Sequence, residues 1–126
     1  AENGYVMIGE NTEKANPHVI NAGFTPIDIG DNVIIGHSAM VHARKIGNNV
    51  LIGANATILH NVEIGDSCVI AGGTVVPDGT KIPSGSFVAG VPAQIKGETS
   101  PKQLWWTEKG IPAYIEMMQR FKEQGL

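Results

Sequence analysis

The chain has 126 residues, 42% of them hydrophobic, which suffices for one folded domain and argues against a disordered chain. Nine Lys and Arg residues stand against twelve Asp and Glu, so the net charge of −3 offers no basic surface for binding nucleic acids. The longest apolar runs are a handful of residues and the single cysteine, Cys68, lies inside a repeat, so the sequence predicts neither a membrane span nor disulfides and fits a cytoplasmic protein.

The first regular pattern along the chain is a repeat of six residues, here called a hexad. An aliphatic residue recurs at every sixth position from Ile29 to Val88, and the period is broken once, by a five-residue step from Val41 to Ile46. A small residue, most often glycine, usually follows the aliphatic residue, and small residues also recur four places after it. This period fits neither a helix nor a flat strand. Each hexad is therefore predicted to be a short strand and a corner, where Gly, Asn and Asp permit positive φ angles or close backbone approach.

Three hexads are predicted to make one triangular coil, and stacked coils to form a parallel β-helix, an all-β solenoid with a narrow core. The aliphatic residues then form three buried ladders. These are Ile29, Ile46, Ile64 and Ile82; Ile35, Ile52 and Ile70; and Val41, Ile58 and Val76. A β-sandwich is the weaker interpretation because it does not predict one constant period.

The segment SFVAGVPAQIKG closes the repeat, so residues 1–97 are predicted to form the β-helix domain and residues 98–126 a C-terminal helical segment. Ser100, Pro101 and Gln103 form a capping box with proline at the first helical position, and Gly110 is predicted to end that helix. Pro112 can open a second helix. Its apolar stripe is Ile111, Tyr114, Ile115, Met118 and Phe121. This stripe, with Trp105 and Trp106, is predicted to dock on the β-helix or on a neighbouring subunit.

His37 and His42 stand five residues apart in the stretch IIGHSAMVHARKIG. By itself this spacing is not a metal motif, and a lone imidazole on such a surface is usually solvated or hydrogen-bonded. Within the repeat, the two are predicted to flank one corner and to project along the same edge. A catalytic zinc takes three protein ligands, and His18, roughly one coil earlier, is the candidate third. A three-faced prism associates naturally about a threefold axis, so such a site can be shared between subunits.

The stretch IGDNVIIGHSAMVHARKIGNNVLIGANATILHNVEIG, followed by IPSGSFVAGVPAQIKG and a tail with Tyr114, resembles the γ-class carbonic anhydrase family over about residues 18–122. This resemblance implies a left-handed β-helix of hexapeptide repeats and a homotrimer with zinc at each interface, bound by His18 and His42 of one subunit and His37 of its neighbour. It implies zinc-hydroxide hydration of CO₂ to bicarbonate, a lyase activity. Iron or cobalt would also suit the imidazoles. Glu13 and His60 are candidates for proton exit by position only.

Two other functions remain open. The same scaffold hosts coenzyme A-dependent acyltransferases that use one histidine as a general base, and AGVPAQIKG resembles the end of the repeat in both groups. The pairing of His37 with His42, and the absence of an obvious long loop between coils, favour an enzyme of the carbonic anhydrase type. The third possibility is an inactive trimeric metal-binding scaffold, because the chain lacks the Arg-Gly-Asp stretch of the γ-class family.

Overall fold

A computed structural model describes residues 6–8, 13–14, 27–110, 113, 116, 117, 119 and 120. The described strands are, in chain order, β1 (Val6–Ile8), β2 (Glu13–Lys14), β3 (Asp28–Ile29), β4 (Val33–Ile35), β5 (Met40–Val41), β6 (Lys45–Ile46), β7 (Leu51–Ile52), β8 (Thr57–Ile58), β9 (Glu63–Ile64), β10 (Val69–Ile70), β11 (Val75–Val76), β12 (Lys81–Ile82), β13 (Ser86–Ala89) and β14 (Gln94–Glu98). Helix α1 (Pro101–Trp105) continues as a π-helical turn, Trp106–Gly110. No helix of the described ranges is long and apolar enough to cross a membrane.

Three sheets form the sides of the solenoid. Face A consists of β1, β4, β7, β10 and β13 in parallel, with β14 antiparallel beyond β13. Face B consists of β2, β5, β8 and β11, and face C of β3, β6, β9 and β12. The chain visits the faces in the order A, B, C, so the corners are called AB, BC and CA. The predicted fold, a left-handed parallel β-helix of hexapeptide repeats, is confirmed.

The three predicted ladders are the core of the molecule. Strand pairing puts Ile29, Ile46, Ile64 and Ile82 in register on face C, and the ladders of faces A and B are paired in the same way. All these residues are buried except Ile29, which is half-buried. Burying an Ile or Val side chain contributes about 1.5–3 kcal/mol, so the stacked aliphatic residues provide the main drive for coil formation.

The sequence predicts that Gly, Asn and Asp at the corners permit positive φ angles or close backbone approach. In the structure these two roles fall to different residues. Positive φ angles occur at Asn32, Ser38, Asn49, Asn55, Asn61, Ser67, Gly73, Gly79 and Gly85. The glycine of the Ile-Gly pair instead allows close approach between coils, since a Cβ on Gly36 would lie 2.6 Å from the backbone nitrogen of Ala54. The corner at residues 42–44 has no residue with positive φ. It is the corner shortened by the five-residue step.

The C-terminal segment begins as the sequence predicts. Ser100 Oγ accepts a hydrogen bond from the Gln103 backbone N–H at 3.2 Å, and Gln103 Oε1 accepts one from the Ser100 backbone N–H at 2.8 Å. The predicted capping box is therefore confirmed. The π-helical turn ends at Gly110, as expected.

Thr99 fastens this helix to corner CA. Its backbone N–H donates to Gly85 O at 2.9 Å and its hydroxyl donates to Ser67 O at 2.9 Å.

Trp105 and Trp106 are 44% and 57% exposed, with their rings edge to face at 4.8 Å. The residues described beyond Gly110 are helical. The predicted apolar stripe itself, Ile111, Tyr114, Ile115, Met118 and Phe121, lies outside the described residues.

Candidate functional site

His37 and His42 lie on different corners. His37 is in corner AB, between β4 and β5, and His42 follows β5 in corner BC. The prediction that they flank one corner is therefore wrong. The physical reason is that the two-residue strand β5 occupies the middle of the intervening stretch, so the two histidines bound face B at its opposite ends.

His18 lies outside the described residues. The prediction that His18 is the third ligand therefore stays a prediction, and the structure places only His37 and His42 of the three predicted ligands.

On the coils that the structure describes in full, corner BC consists of residues 42–44, 59–62 and 77–80. Residues 15–26, between β2 and β3, lie outside the described residues, so the expected absence of a long loop between coils stays a prediction.

His42 and His60 are neighbours on corner BC. Their ring centroids lie 4.9 Å apart, with the ring planes inclined by 51°. Val41 and Ile58 are paired in the ladder of face B, and His42 is the first residue after Val41 whereas His60 is the second after Ile58. Counting along the hexads puts His60 level with Ala43, the neighbour of His42. Sequence reasoning considered His60 as a candidate for proton exit and did not predict its contact with His42.

The backbone of His60 is held on both sides by the next coil. Its N–H donates to Asp78 Oδ1 at 2.9 Å, and its carbonyl accepts from the Gly79 N–H at 2.9 Å. The backbone N–H of His42 donates to Ile58 O, also at 2.9 Å. Both imidazoles therefore project from a fixed corner.

The Nδ1 atom of His42 is buried and has no hydrogen-bond partner among the described residues. Leaving a buried polar atom without a partner costs about 1–3 kcal/mol. A metal ion, or a group from another chain, would satisfy this nitrogen. The observation therefore fits the predicted role of His42 in a metal centre, and imidazole nitrogens suit zinc, iron and cobalt.

The described part of one chain does not complete a metal site. No three His, Cys, Asp or Glu side chains within it lie close enough to hold an ion. Cys68 is buried, its Sγ lies 3.1 Å from Pro83 O, and burial raises the pKa of its thiol, so it is not available as a thiolate ligand. A site with three histidines would have to draw on residues outside the described ranges or on a second copy of the chain.

An open groove of about 420 Å³ runs along face C. Lys45, Glu63 and Lys81 line it in register, and Lys81 Nζ lies 3.6 Å from Glu63 Oε2. Cross-strand pairs of opposite charge stabilise sheets by themselves. These charge pairs account for the charged residues along face C without a bound ligand.

Comparison with known proteins finds matches to the repeat region. Residues 45–78 match the family of bacterial transferase hexapeptides (six repeats). Over 92 residues the chain is 28% identical to the carnitine operon protein CaiE of Escherichia coli. The match covers 73% of this chain and 47% of that protein. It is 31% identical over 100 residues to γ carbonic anhydrase 2, mitochondrial, of Arabidopsis thaliana, which covers 79% of this chain and 36% of that protein. The chain thus spans half or less of the length of these relatives.

The chain is also similar to an acetyltransferase of known structure. The crystal structure of serine acetyltransferase from Brucella abortus strain S19 superimposes with a TM-score of 0.57 at 32% identity, covering 75% of this chain and 40% of that one. The expected similarity to a γ-class carbonic anhydrase is confirmed, and similarity to an acetyltransferase stands beside it. The hexads, the three-sided solenoid and these matches show that the chain carries hexapeptide repeats and has the fold of the left-handed β-helix superfamily.

Proposed function

We propose that the protein is a γ-class carbonic anhydrase-like metalloprotein that hydrates CO₂ to bicarbonate at metal sites shared between subunits of a homotrimer. The observation that carries this proposal is the position of His37 and His42 on the two corners that bound face B. Imidazoles that bind one zinc at about 2.1 Å must be adjacent, and β5 separates these two within a chain. About a threefold axis, corner AB of one copy can meet corner BC of the next.

The proposed ligands divide between subunits as the resemblance to the γ class implies. His18 and His42 would come from one subunit, and His37 would come from its neighbour. The donor set is three neutral imidazoles, which suits Zn²⁺, with iron or cobalt as alternatives. The buried, unpartnered Nδ1 of His42 supports the assignment.

Face B also suits a contact between subunits. Its outward residues on three described coils, Met40, Thr57 and Val75, are uncharged, and Met40 is 38% exposed. The outward residues of face C carry alternating charges, which would have to be desolvated in an interface. The stretch of face B built by β5, β8 and β11 is therefore uncharged on its outer side, which favours this stretch as the wall of the shared site.

The metal and the chain supply different parts of the reaction. When bound, the ion makes water acidic, with a pKa of about 7 instead of about 15.7, and so provides hydroxide chemistry at neutral pH. The three histidines hold the ion and leave its fourth position open. Because His42 is half-buried and fixed through its backbone to Ile58, it orients the site with little loss of side-chain freedom.

Mixed trimers give the sharpest test of a shared site. His37→Ala and His42→Ala are each expected to abolish CO₂ hydration in stopped-flow assays. Coexpression of the two variants should restore about a quarter of the wild-type activity, because about a quarter of the interfaces then pair an intact His42 with an intact His37. Zinc content should recover in the same proportion.

Three results decide the outcome. Mixing without recovery would contradict a site shared between subunits. Less than one metal ion per three subunits after metal-replete expression, with no change in His37→Ala, would exclude the metal site altogether. Full zinc content without CO₂ hydration would leave the inactive metal-binding scaffold as the function. Arg44→Ala is the control, because Arg44 is exposed on the same corner as His42 and cannot act as a ligand.

An acyltransferase is the second candidate function. The similarity to a serine acetyltransferase favours it. This activity needs one histidine as a general base, so it would depend on acetyl-coenzyme A and would survive removal of metal with a chelator. Carbonic anhydrase-like activity would be lost under the same treatment and regained with Zn²⁺.

A further inference from the structure

Two imidazoles lie together on corner BC, and the proposed three-histidine site uses His42 but not His60. We propose that His60 is a metal ligand as well, and that His42 and His60 together bind a divalent transition-metal ion from within one chain. The inference rests on the proposed function only in taking His42 as a ligand. Nothing in the resemblance to the γ class assigns metal binding to His60.

The spacing of the two rings fits coordination of one ion. Imidazoles that bind a metal through nitrogen at about 2.1 Å, with angles of about 90–110° at the ion, have ring centroids about 4.6–5.3 Å apart. The centroids of His42 and His60 lie 4.9 Å apart. The planes are inclined by 51°. The separation of the two coils at this corner is therefore compatible with one ion between the rings.

The corner is also organised before any ion binds. Asp78 Oδ1 accepts from the His60 backbone N–H, and Ile58 O accepts from that of His42, each at 2.9 Å. The Nδ1 atom of His42 is buried without a partner among the residues that the structure describes, which is an independent sign of a missing interaction. His60 is exposed, so an ion can reach the pair from solvent.

A ligand at this position has a consequence for the shared site. Structural zinc sites have four protein ligands, whereas catalytic sites keep the fourth position for water. With His18, His37 and His42 as three ligands, His60 would compete with water for the fourth position. His60→Ala should then weaken metal binding and, at saturating Zn²⁺, raise the rate of CO₂ hydration.

The test measures Zn²⁺ binding directly, by competition with a chromophoric chelator and by X-ray absorption at the zinc edge. The number of zinc-bound imidazoles fitted to the wild-type spectrum should include the imidazole of His60. His60→Ala should lose one imidazole and bind Zn²⁺ about tenfold more weakly or worse, since even second-shell losses cost about 10–100-fold. His60→Gln should behave in the same way and guards against an effect of cavity formation. Arg44→Ala should bind as wild type does.

A comparison with His37→Ala separates this inference from the proposed function. Weaker binding in His60→Ala but not in His37→Ala would support the pair and overturn the shared site. Weaker binding in His37→Ala but not in His60→Ala would overturn the pair and leave the shared site intact. An unchanged imidazole count in His60→Ala would also overturn the pair, whatever the affinity.

Discussion

Gly36→Ala tests whether the glycine of the Ile-Gly pair is needed for close approach between coils. The glycine directly precedes His37 in corner AB, and its Cα faces the next coil. A Cβ there would lie 2.6 Å from Ala54 N and 2.9 Å from the carbonyl carbon of Gly53, where ordinary contact begins at 3.4 Å. The two coils must therefore separate locally by about 0.8 Å, because backbone atoms cannot turn aside as a flexible side chain would.

That separation acts on two hydrogen bonds between the coils. Gly36 N–H donates to Ile52 O at 2.8 Å, and Asn55 N–H donates to His37 O at 2.9 Å. Each bond contributes about 1 kcal/mol net, and overpacking adds about 1–3 kcal/mol, so we expect the free energy of unfolding to fall by about 3 kcal/mol. The substitution also shifts His37, so metal binding at a shared site should weaken with it.

Gly73 provides the matched controls, because it has a positive φ of 72° and nothing within 4 Å of an added Cβ. Gly73→Ala should cost about 1 kcal/mol from left-handed strain alone, and Gly73→Asn close to nothing, as Asn55 has φ 60° at the same position one coil earlier. Urea unfolding followed by circular dichroism, at one protein concentration because assembly adds stability, measures all three. A loss in Gly36→Ala no greater than that in Gly73→Ala would refute the reasoning.

Three further predictions concern the core, the thiol and the helix cap. Ile58→Ala should lower the free energy of unfolding in urea by about 2–5 kcal/mol because Ile58 is fully buried, whereas Met40→Ala on the outer side of face B should change that of the dissociated chain by less than about 1 kcal/mol. Burial raises the pKa of Cys68, so the unfolded chain loses the thiol proton first and stability should fall as pH rises past the ordinary thiol pKa of about 8.5. Cys68→Val should remove that slope, and an unchanged slope would contradict the assignment. Ser100→Ala should cost about 1 kcal/mol of local helix stability and speed hydrogen exchange at the Gln103 amide.

The ladders were predictable from the sequence because they require only counting. An apolar residue at a fixed period of six can be buried repeatedly only if the chain turns through the same angle after each hexad. The five-residue step after Val41 did not disturb this counting, since Ile46 still pairs with Ile29 and Ile64. The capping box at Ser100 was equally predictable, because it is formed by residues close together in sequence.

The corners were less predictable because their residues act across coils. The sequence does not distinguish a glycine needed for positive φ from one needed for close approach, and here the Ile-Gly glycine serves only the second purpose at Gly36. The placement of His37 and His42 on one corner failed because a hexad contains one strand and one corner. Two residues five positions apart therefore span a whole face. Distances between residues on successive coils, such as His42 and His60, depend on which corner each one occupies.

The shortened corner BC is where the fold bears most directly on function. On the coil of His60 this corner has four residues, with Asn61 at positive φ, whereas the coil of His42 has three and no such residue. His42 follows buried Val41 in the shortened corner, and its ring lies against that of His60. A regular hexad at this point would keep the core ladder and change only the corner. The irregularity therefore lies where the two imidazole rings meet, which is the reason to seek the chemistry of this protein at corner BC.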